Sequence, residues 1–538
     1  MPTFEKPKLT KTINRLAQLI SDHKIQVILV SIYVFFVFFS YIAGTTPNCC
    51  EDIYFVNPFS LGQKISWIWG KTISEGRFVS SSILVFLSGF LNIHITSFLA
   101  IFFSIITSIL IVSLWHCQKN YFAFILLLLS LNPFLLMLHA FQFYFTVVNA
   151  ANCASILSLY LYQKNKHFLL LIPLIMVLSL GTYQITLVFT LVVLFSSFFI
   201  DFFEEKKFDW RSKIGFYGNS LAAIIIGFFL YKIILRTLLS FQGKERIIRI
   251  ELWGGRELNS FGDYFSYSIE CFKSFFQTGI SSSLNPADSF WVGDLYTRLP
   301  LIKINEILIP TLLLILLFYA IQKRDLPKII LVIIFLPVTV GIILAPIVVS
   351  GSEIIPRTFY PFGLVLPTLI LTTLNANLRC FKIKSLVISV SVVLLLINSL
   401  FHIEVFQGMR AKSYLAKVEH ERMYETLSAS PYFSPSRKVL IYWYNANKPE
   451  DNTYIGSGFW PMYHSTSMDI IFKYELNKDV KFVYLNTFSK EQKEQVRRFI
   501  LDKKLLPWNE QQLATLMPPS SEIPEGLLII YYPHELLI

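Results

Sequence analysis

Long apolar runs separated by short polar and basic stretches recur along most of this chain, and no other feature constrains its fold as strongly. The runs lie at about 25–43, 94–115, 121–138, 143–162, 168–180, 184–203, 214–236, 304–321, 329–350, 358–376 and 385–405. A hydrocarbon core about 30 Å thick is crossed by roughly 20 helical residues, so these runs are of spanning or near-spanning length. Inside lipid a backbone must satisfy its own hydrogen bonds, which makes such segments α-helices. Composition agrees: of 538 residues 54% are hydrophobic and 15% charged, where soluble domains carry roughly 25% charged. A water-soluble enzyme of this size, a disordered chain and, with 6 cysteines, a disulfide-framed secreted module are excluded. The expected fold class is an α-helical polytopic membrane protein of about 11 transmembrane helices.

The formal charge of +12 would suit a nucleic-acid partner if the basic residues formed one stripe. They fall instead in clusters between apolar runs, the pattern that orients helices with Lys and Arg on the cytoplasmic side, and no nucleic-acid partner is expected. Lys6, Lys8, Lys11, Arg15 and Lys24 precede the first run, which puts the amino terminus in the cytoplasm. The stretch 79–91 is short for a span and reads as a re-entrant or interfacial segment. With it not crossing, the clusters Lys164/Lys166, Lys206/Lys207/Arg211/Lys213, Lys323/Arg324/Lys328 and Arg379/Lys382/Lys384 all face the cytoplasm; with it crossing, all would face outward. The run 168–203 is interrupted only by Gly181-Thr182-Tyr183-Gln184 and could be one long tilted helix, but two short helices meeting in an outward hairpin fit the charge alternation better.

Residues 1–405 then form the membrane domain, with outer loops at 44–93 and 240–303, and 406–538 a small soluble α/β domain on the outer face. In the first loop Ser60 and Gln63 form a capping box ahead of Ile65, Ile68, Trp69 and Ile73 at helical spacing, an interfacial helix with Trp67 and Trp69 at headgroup level. The tail carries a charged helix near 409–427, strand-like runs Val439–Tyr444, Val480–Leu485 and Leu527–Tyr532, and a helix opened by Ser489 and Gln492.

Ionisable side chains are costly in a bilayer and mark function there. Here they gather at the expected outer ends of helices, so an active site should open outward. Cys49-Cys50-Glu51-Asp52 follows the first helix, and Gly76-Arg77 follows the interfacial one. A sugar on a polyprenyl phosphate has an anionic leaving group, so its transfer needs one carboxylate base for the attacking hydroxyl and cations for the departing phosphate. Asp52 is the first choice for that base and Glu51 the second, although solvation alone would also account for an acidic pair in an outer loop. Arg357, in Ser352-Glu353-Ile354-Ile355-Pro356-Arg357, sits on the side where basic residues are disfavoured. Its guanidinium suits a phosphate; snorkelling to a lipid headgroup is the competing reading. Tyr183 and Gln184 could bind a sugar or simply complete a turn. Trp253, Arg256, Asp263, Tyr264 and Trp291 of the second loop mix aromatics and charges, as both carbohydrate surfaces and membrane interfaces do. Cys271 could pair with Cys49 or Cys50 in an oxidising compartment, buried or free thiols being the alternative. No CxxC, HExxH or Cys/His spacing points to a metal, and no metal or cofactor is expected.

The ordered set Glu51-Asp52, Gly76-Arg77, Gly181-Thr182-Tyr183-Gln184 and Pro356-Arg357 resembles the bacterial serotype-converting O-antigen glucosyltransferases, membrane enzymes of the GT-C type. That family often has two aspartates in place of Glu-Asp, and Pro where this chain has Phe78. The resemblance implies inverting transfer of glucose from undecaprenyl-phosphate glucose to a sugar of the lipid-linked O-antigen repeat, on the periplasmic side of the inner membrane. It implies a catalytic acid in the first outer loop, at Glu51 or Asp52; the residues themselves, gathered at one expected membrane face, make Arg77 and Arg357 the candidate phosphate clamps. A transporter or flippase of lipid-linked sugars, an O-antigen polymerase and a transferase of another polyprenyl-linked sugar are the competing functions.

Overall fold

The computed structural model describes residues 21–43, 61–87, 92–132, 142–204, 210–244, 258, 260–278, 300–350, 356–376, 381–429, 431, 433–434, 438–443, 477–478, 480–483, 491, 515–517 and 528–532. Helices account for most of them. The chain begins with α1 (Lys24–Val37) and a further turn, Phe39–Ile42. Next come α2 (Leu61–Glu75), α3 (Phe78–Leu87), α4 (Ile93–Leu114), α5 (Phe122–Ser130) and α6 (Gln142–Lys164). A 3-10 turn, Lys166–Leu170, leads into α7 (Leu171–Thr182), α8 (Ile185–Glu204) and α9 (Trp210–Ser240). Then follow α10 (Phe261–Thr278), α11 (Pro300–Gln322), α12 (Leu326–Ser350), a 3-10 helix Pro356–Leu364, α13 (Val365–Asn375) and α14 (Phe381–Ser428).

Among the described residues six helices are long and apolar enough to cross a membrane: His94–Leu114, Phe143–Lys164, Ile185–Phe203, Lys213–Ser240, Leu326–Val348 and Lys382–Ile403. Shorter apolar helices, among them Lys24–Val37, Lys166–Thr182, Ile307–Gln322 and Tyr360–Asn375, occupy further expected runs. The surface agrees with lipid as solvent. Helix α9 buries Ala223, Ile224, Tyr231 and Leu235 but exposes Leu221, Ile225, Ile226, Phe229 and Ile233. Water would penalise that apolar stripe by roughly 25 cal/mol per Å², whereas acyl chains do not. The chain is a polytopic α-helical membrane protein.

Helix ends are set by local chemistry. Asn92 caps α4, its side-chain oxygen accepting from the backbone N–H groups of His94 and Ile95. Ser260 and Asp263 cap α10 reciprocally: the Ser260 N–H donates to the Asp263 carboxylate at 2.9 Å, and the Asp263 N–H to Ser260 Oγ at 3.1 Å. Helix α10 buries Tyr267 and Cys271, while Cys49 and Cys50 lie outside the described residues.

The helices are joined by hydrogen bonds from small polar side chains, contacts each worth about 0.6–2 kcal/mol in a membrane. Between α4 and α6, Thr146 Oγ1 donates to the Thr96 carbonyl at 2.8 Å and Asn149 Nδ2 to the Ala100 carbonyl at 3.0 Å. Between α6 and α7, the Ser155 and Ser179 hydroxyls meet at 2.8 Å. Helices α7 and α9 touch at Gly227, where a Cβ would come within 2.6 Å of Met176 Cβ.

Helix α14 runs unbroken from an apolar first half into the charged segment expected near 409–427. Beyond it β1 (Lys438–Trp443), β2 (Lys481–Val483), β3 (Thr515–Met517) and β4 (Leu528–Tyr532) form one sheet in the order β2-β1-β4-β3. Strand β1 pairs in parallel with β2 and β4, with Val439 opposite Phe482 and Leu528, and β3 lies antiparallel to β4. Three of these strands fall on the strand-like runs of the sequence; β3 does not. The capping residues Ser489 and Gln492 lie outside the described residues.

Candidate functional site

Two breaks in the helical pattern build the site. The first is the turn between α2 and α3. Gly76 has φ +69°, a left-handed conformation that any L residue with a Cβ adopts only at a cost of about 1–2 kcal/mol. That reversal lets Glu75, on the last turn of α2, and Arg77, at the head of α3, face each other: Arg77 Nη1 lies 2.7 Å from Glu75 Oε2. One helical turn back, Lys71 Nζ lies 2.9 Å from Glu75 Oε1. The three side chains are only 10–14% exposed.

The second break separates α7 from α8. Tyr183 leaves the helix with φ −159° and ψ 121°, so the run 168–203 is two helices. Gln184 follows, donating through Nε2 to the Glu75 carbonyl at 2.6 Å and to the Tyr231 hydroxyl of α9 at 3.1 Å. The Tyr231 hydroxyl in turn donates to the Gly76 carbonyl at 3.2 Å. Ser80 Oγ donates to the Thr182 carbonyl at 3.0 Å, and Gly181 packs so closely on α3 that a Cβ there would come within 2.7 Å of Val79 and 2.8 Å of the Phe78 ring.

Aromatic rings wall the cations. The Arg77 guanidinium stands 4.5 Å from the centroid of the Tyr183 ring and 6.0 Å from that of Tyr144, on the first turn of α6. Lys71 Nζ lies 5.6 Å from the Trp67 ring and 5.9 Å from Tyr144. Rings hold cations by their quadrupoles while excluding water, which strengthens any electrostatic contact made there. Two cations in such a setting can bind a phosphate with matched geometry.

Of the residues singled out in the sequence, Arg77, Tyr183 and Gln184 therefore come together. Glu51 and Asp52 lie outside the described residues, as do Trp253, Arg256 and Trp291. Arg357 belongs to the first turn of the 3-10 helix Pro356–Leu364, and its side chain lies outside the described residues. That helix is anchored by Tyr360, fully buried, whose hydroxyl meets the Asn152 side chain at 3.0 and 3.1 Å and whose ring centroid lies 5.4 Å from that of Phe189 on α8. Asn132 Nδ2 adds a bond to the Tyr360 carbonyl at 3.3 Å. The Arg357-bearing helix thus rests on the helix that Gln184 introduces.

Lys71, Glu75, Tyr144 and Tyr231 were not singled out in the sequence. The Lys71/Glu75 spacing of four was visible, but it is also what any solvated helix carries. Among the described residues no three His, Cys, Asp or Glu side chains converge as metal ligands.

The family model described as glucosyl transferase GtrII matches residues 61–368, more than half of the chain. The chain belongs to that family. The match begins at the first residue of α2 and includes Arg77, Tyr183, Gln184 and Arg357. Comparison with curated proteins and with solved structures gave no match. A glucosyltransferase with membrane-spanning helices is what the resemblance of the short motifs implied, and the enzyme class is glycosyltransferase.

Proposed function

We propose that this glucosyltransferase moves glucose from undecaprenyl-phosphate glucose to a sugar of the lipid-linked O-antigen repeat, with inversion, at the periplasmic face of the inner membrane. The observation that carries the reading is Arg77: a guanidinium 13% exposed, stacked 4.5 Å from the Tyr183 ring in a chain of this family. That guanidinium is paired with Glu75 at 2.7 Å and walled by aromatic rings, a setting in which a lipid-borne phosphate arriving from the bilayer would compete for the same cation. In this reading Asp52, or Glu51, takes the proton of the attacking hydroxyl while Arg77 and Arg357 hold the departing phosphate. Gln184 is a positioning residue, since its side-chain amide serves Glu75 and Tyr231, and Tyr183 lays its ring against the Arg77 guanidinium. The cations supply the charge neutralisation that a metal supplies in other phosphate sites, so turnover should persist in EDTA. Residues 1–405 act as the membrane catalytic unit, crossed by about 11 helices, with 406–538 as an outer α/β domain. Lys71, Glu75 and Arg77 meet at a helix break, while the polar groups between α4, α6 and α7 are used in helix–helix hydrogen bonds, which favours transfer over transport.

The test is substitution. Glu51→Gln and Asp52→Asn proteins, shown to be stably inserted, are assayed in detergent with undecaprenyl-phosphate glucose and lipid-linked O-antigen. One of the two should lose transfer by at least about a hundredfold, the scale of a missing general base. Full activity in both would eliminate the acid-base assignment. Mass spectrometry of the host polysaccharide with and without the gene reports the sugar and its linkage.

A further inference from the structure

Glu75 lies where an anion would be held. Its two oxygens take one cation each, Lys71 at 2.9 Å and Arg77 at 2.7 Å, and the Trp67, Tyr144 and Tyr183 rings enclose those cations. A carboxylate bridging two cations uses the contacts that a phosphate would use. Any lipid phosphate bound at Arg77 therefore shares its counter-charges with Glu75.

The charge to be held changes during transfer. The acceptor hydroxyl oxygen forms a bond to the anomeric carbon, its proton passing to the outer-loop carboxylate. The bond from that carbon to the phosphate oxygen breaks, and its electron pair stays on the oxygen. The lipid phosphate thus goes from a singly charged diester to a monoester of roughly −1.5 to −2 at pH 7. A fixed negative charge beside it opposes the product more than the donor.

Resting on the reading of the chain as a polyprenyl-phosphate-glucose transferase, we propose that Glu75 is a positioning residue that shares Lys71 and Arg77 with the lipid phosphate and so promotes release of the polyprenyl phosphate product. Gln184 holds the Glu75 backbone in place for this, through the carbonyl to which its side-chain amide donates.

The experiment compares, in full-length protein, the inhibition constant of undecaprenyl phosphate with the KM of undecaprenyl-phosphate glucose. Glu75→Gln should lower the ratio of the two by about tenfold, the size of one charge-assisted contact, and lower kcat while leaving the first turnover fast. Glu75→Asp, which keeps the charge, should return the ratio toward that of the parent. Lys71→Met should raise the ratio, because it removes a cation the product needs most; this arm decides the matter if Glu75→Gln does not insert stably. A ratio unchanged in Glu75→Gln, or in Lys71→Met, overturns the proposal while the parent still transfers glucose. A parent protein that neither transfers from this donor nor binds undecaprenyl phosphate overturns the functional reading and this inference together.

Discussion

Gln184 donates its side-chain amide to the backbone carbonyl of Glu75 at 2.6 Å, tying two turns that lie 109 positions apart in the sequence. The same nitrogen donates to Tyr231, so one amide fixes both the α2–α3 turn and the α7–α8 break. Gln184→Leu keeps the bulk and removes both bonds, leaving the Glu75 carbonyl without this partner at a cost of about 1–3 kcal/mol. Thermal melting of the detergent-solubilised protein should fall accordingly, and kcat/KM should drop by about tenfold or more as Arg77 loses its alignment.

Gly181 is the point of closest approach between α7 and α3. Gly181→Ala brings a methyl within 2.7 Å of Val79 and 2.8 Å of the Phe78 ring, so α3 must shift. Overpacking of this kind costs about 1–3 kcal/mol. Because α3 begins directly after Arg77, transfer activity should fall further than melting temperature suggests, whereas Gly215→Ala, with open space around it, should leave both unchanged.

These two relationships mark the limit of what could be read from the sequence. Apolar runs and shifts in charge located several helices: the run 168–203 breaks at Tyr183, and the charged stretch near 409–427 is helical. Gly76-Arg77 and Gly181-Thr182-Tyr183-Gln184 were legible as separate motifs. Their junction was not, because a hydrogen bond from Gln184 to a backbone carbonyl leaves no trace in residue type at position 75. Tyr231 was hidden for another reason, as one aromatic among many in an apolar run. Glu75 carries no distinguishing signal in the sequence, and only the reversal at Gly76 turns it onto Arg77. Strand β3 is three residues long and presents too short a pattern to detect.

Tyr183 contributes its ring to Arg77, with the centroid 4.5 Å from the guanidinium carbon. Tyr183→Phe retains the ring and should keep the donor KM within about threefold, while Tyr183→Leu loses a contact worth about 0.5–2 kcal/mol and should raise it by roughly two- to thirtyfold. Equal KM in Phe and Leu variants would show that the stacking has no part in donor binding.

Tyr360 couples the Arg357-bearing 3-10 helix to α6 through Asn152. Tyr360→Phe leaves the Asn152 amide without this partner in the interior and should cost about 1–3 kcal/mol. Melting and donor KM measured on the same preparation check it: the account expects both to worsen, and Tyr360→Phe with parental values in each would remove this helix from the site.

The most direct test of the central idea, that Arg77 takes the donor phosphate, is the steady-state dependence of glucose transfer on undecaprenyl-phosphate glucose in Arg77 variants. Arg77→Lys keeps the charge but loses the bidentate geometry and should raise KM by about tenfold; Arg77→Gln should raise it further and lower kcat by at least about a hundredfold. An Arg77→Gln protein that is folded and turns over the donor with parental KM and kcat would contradict the account.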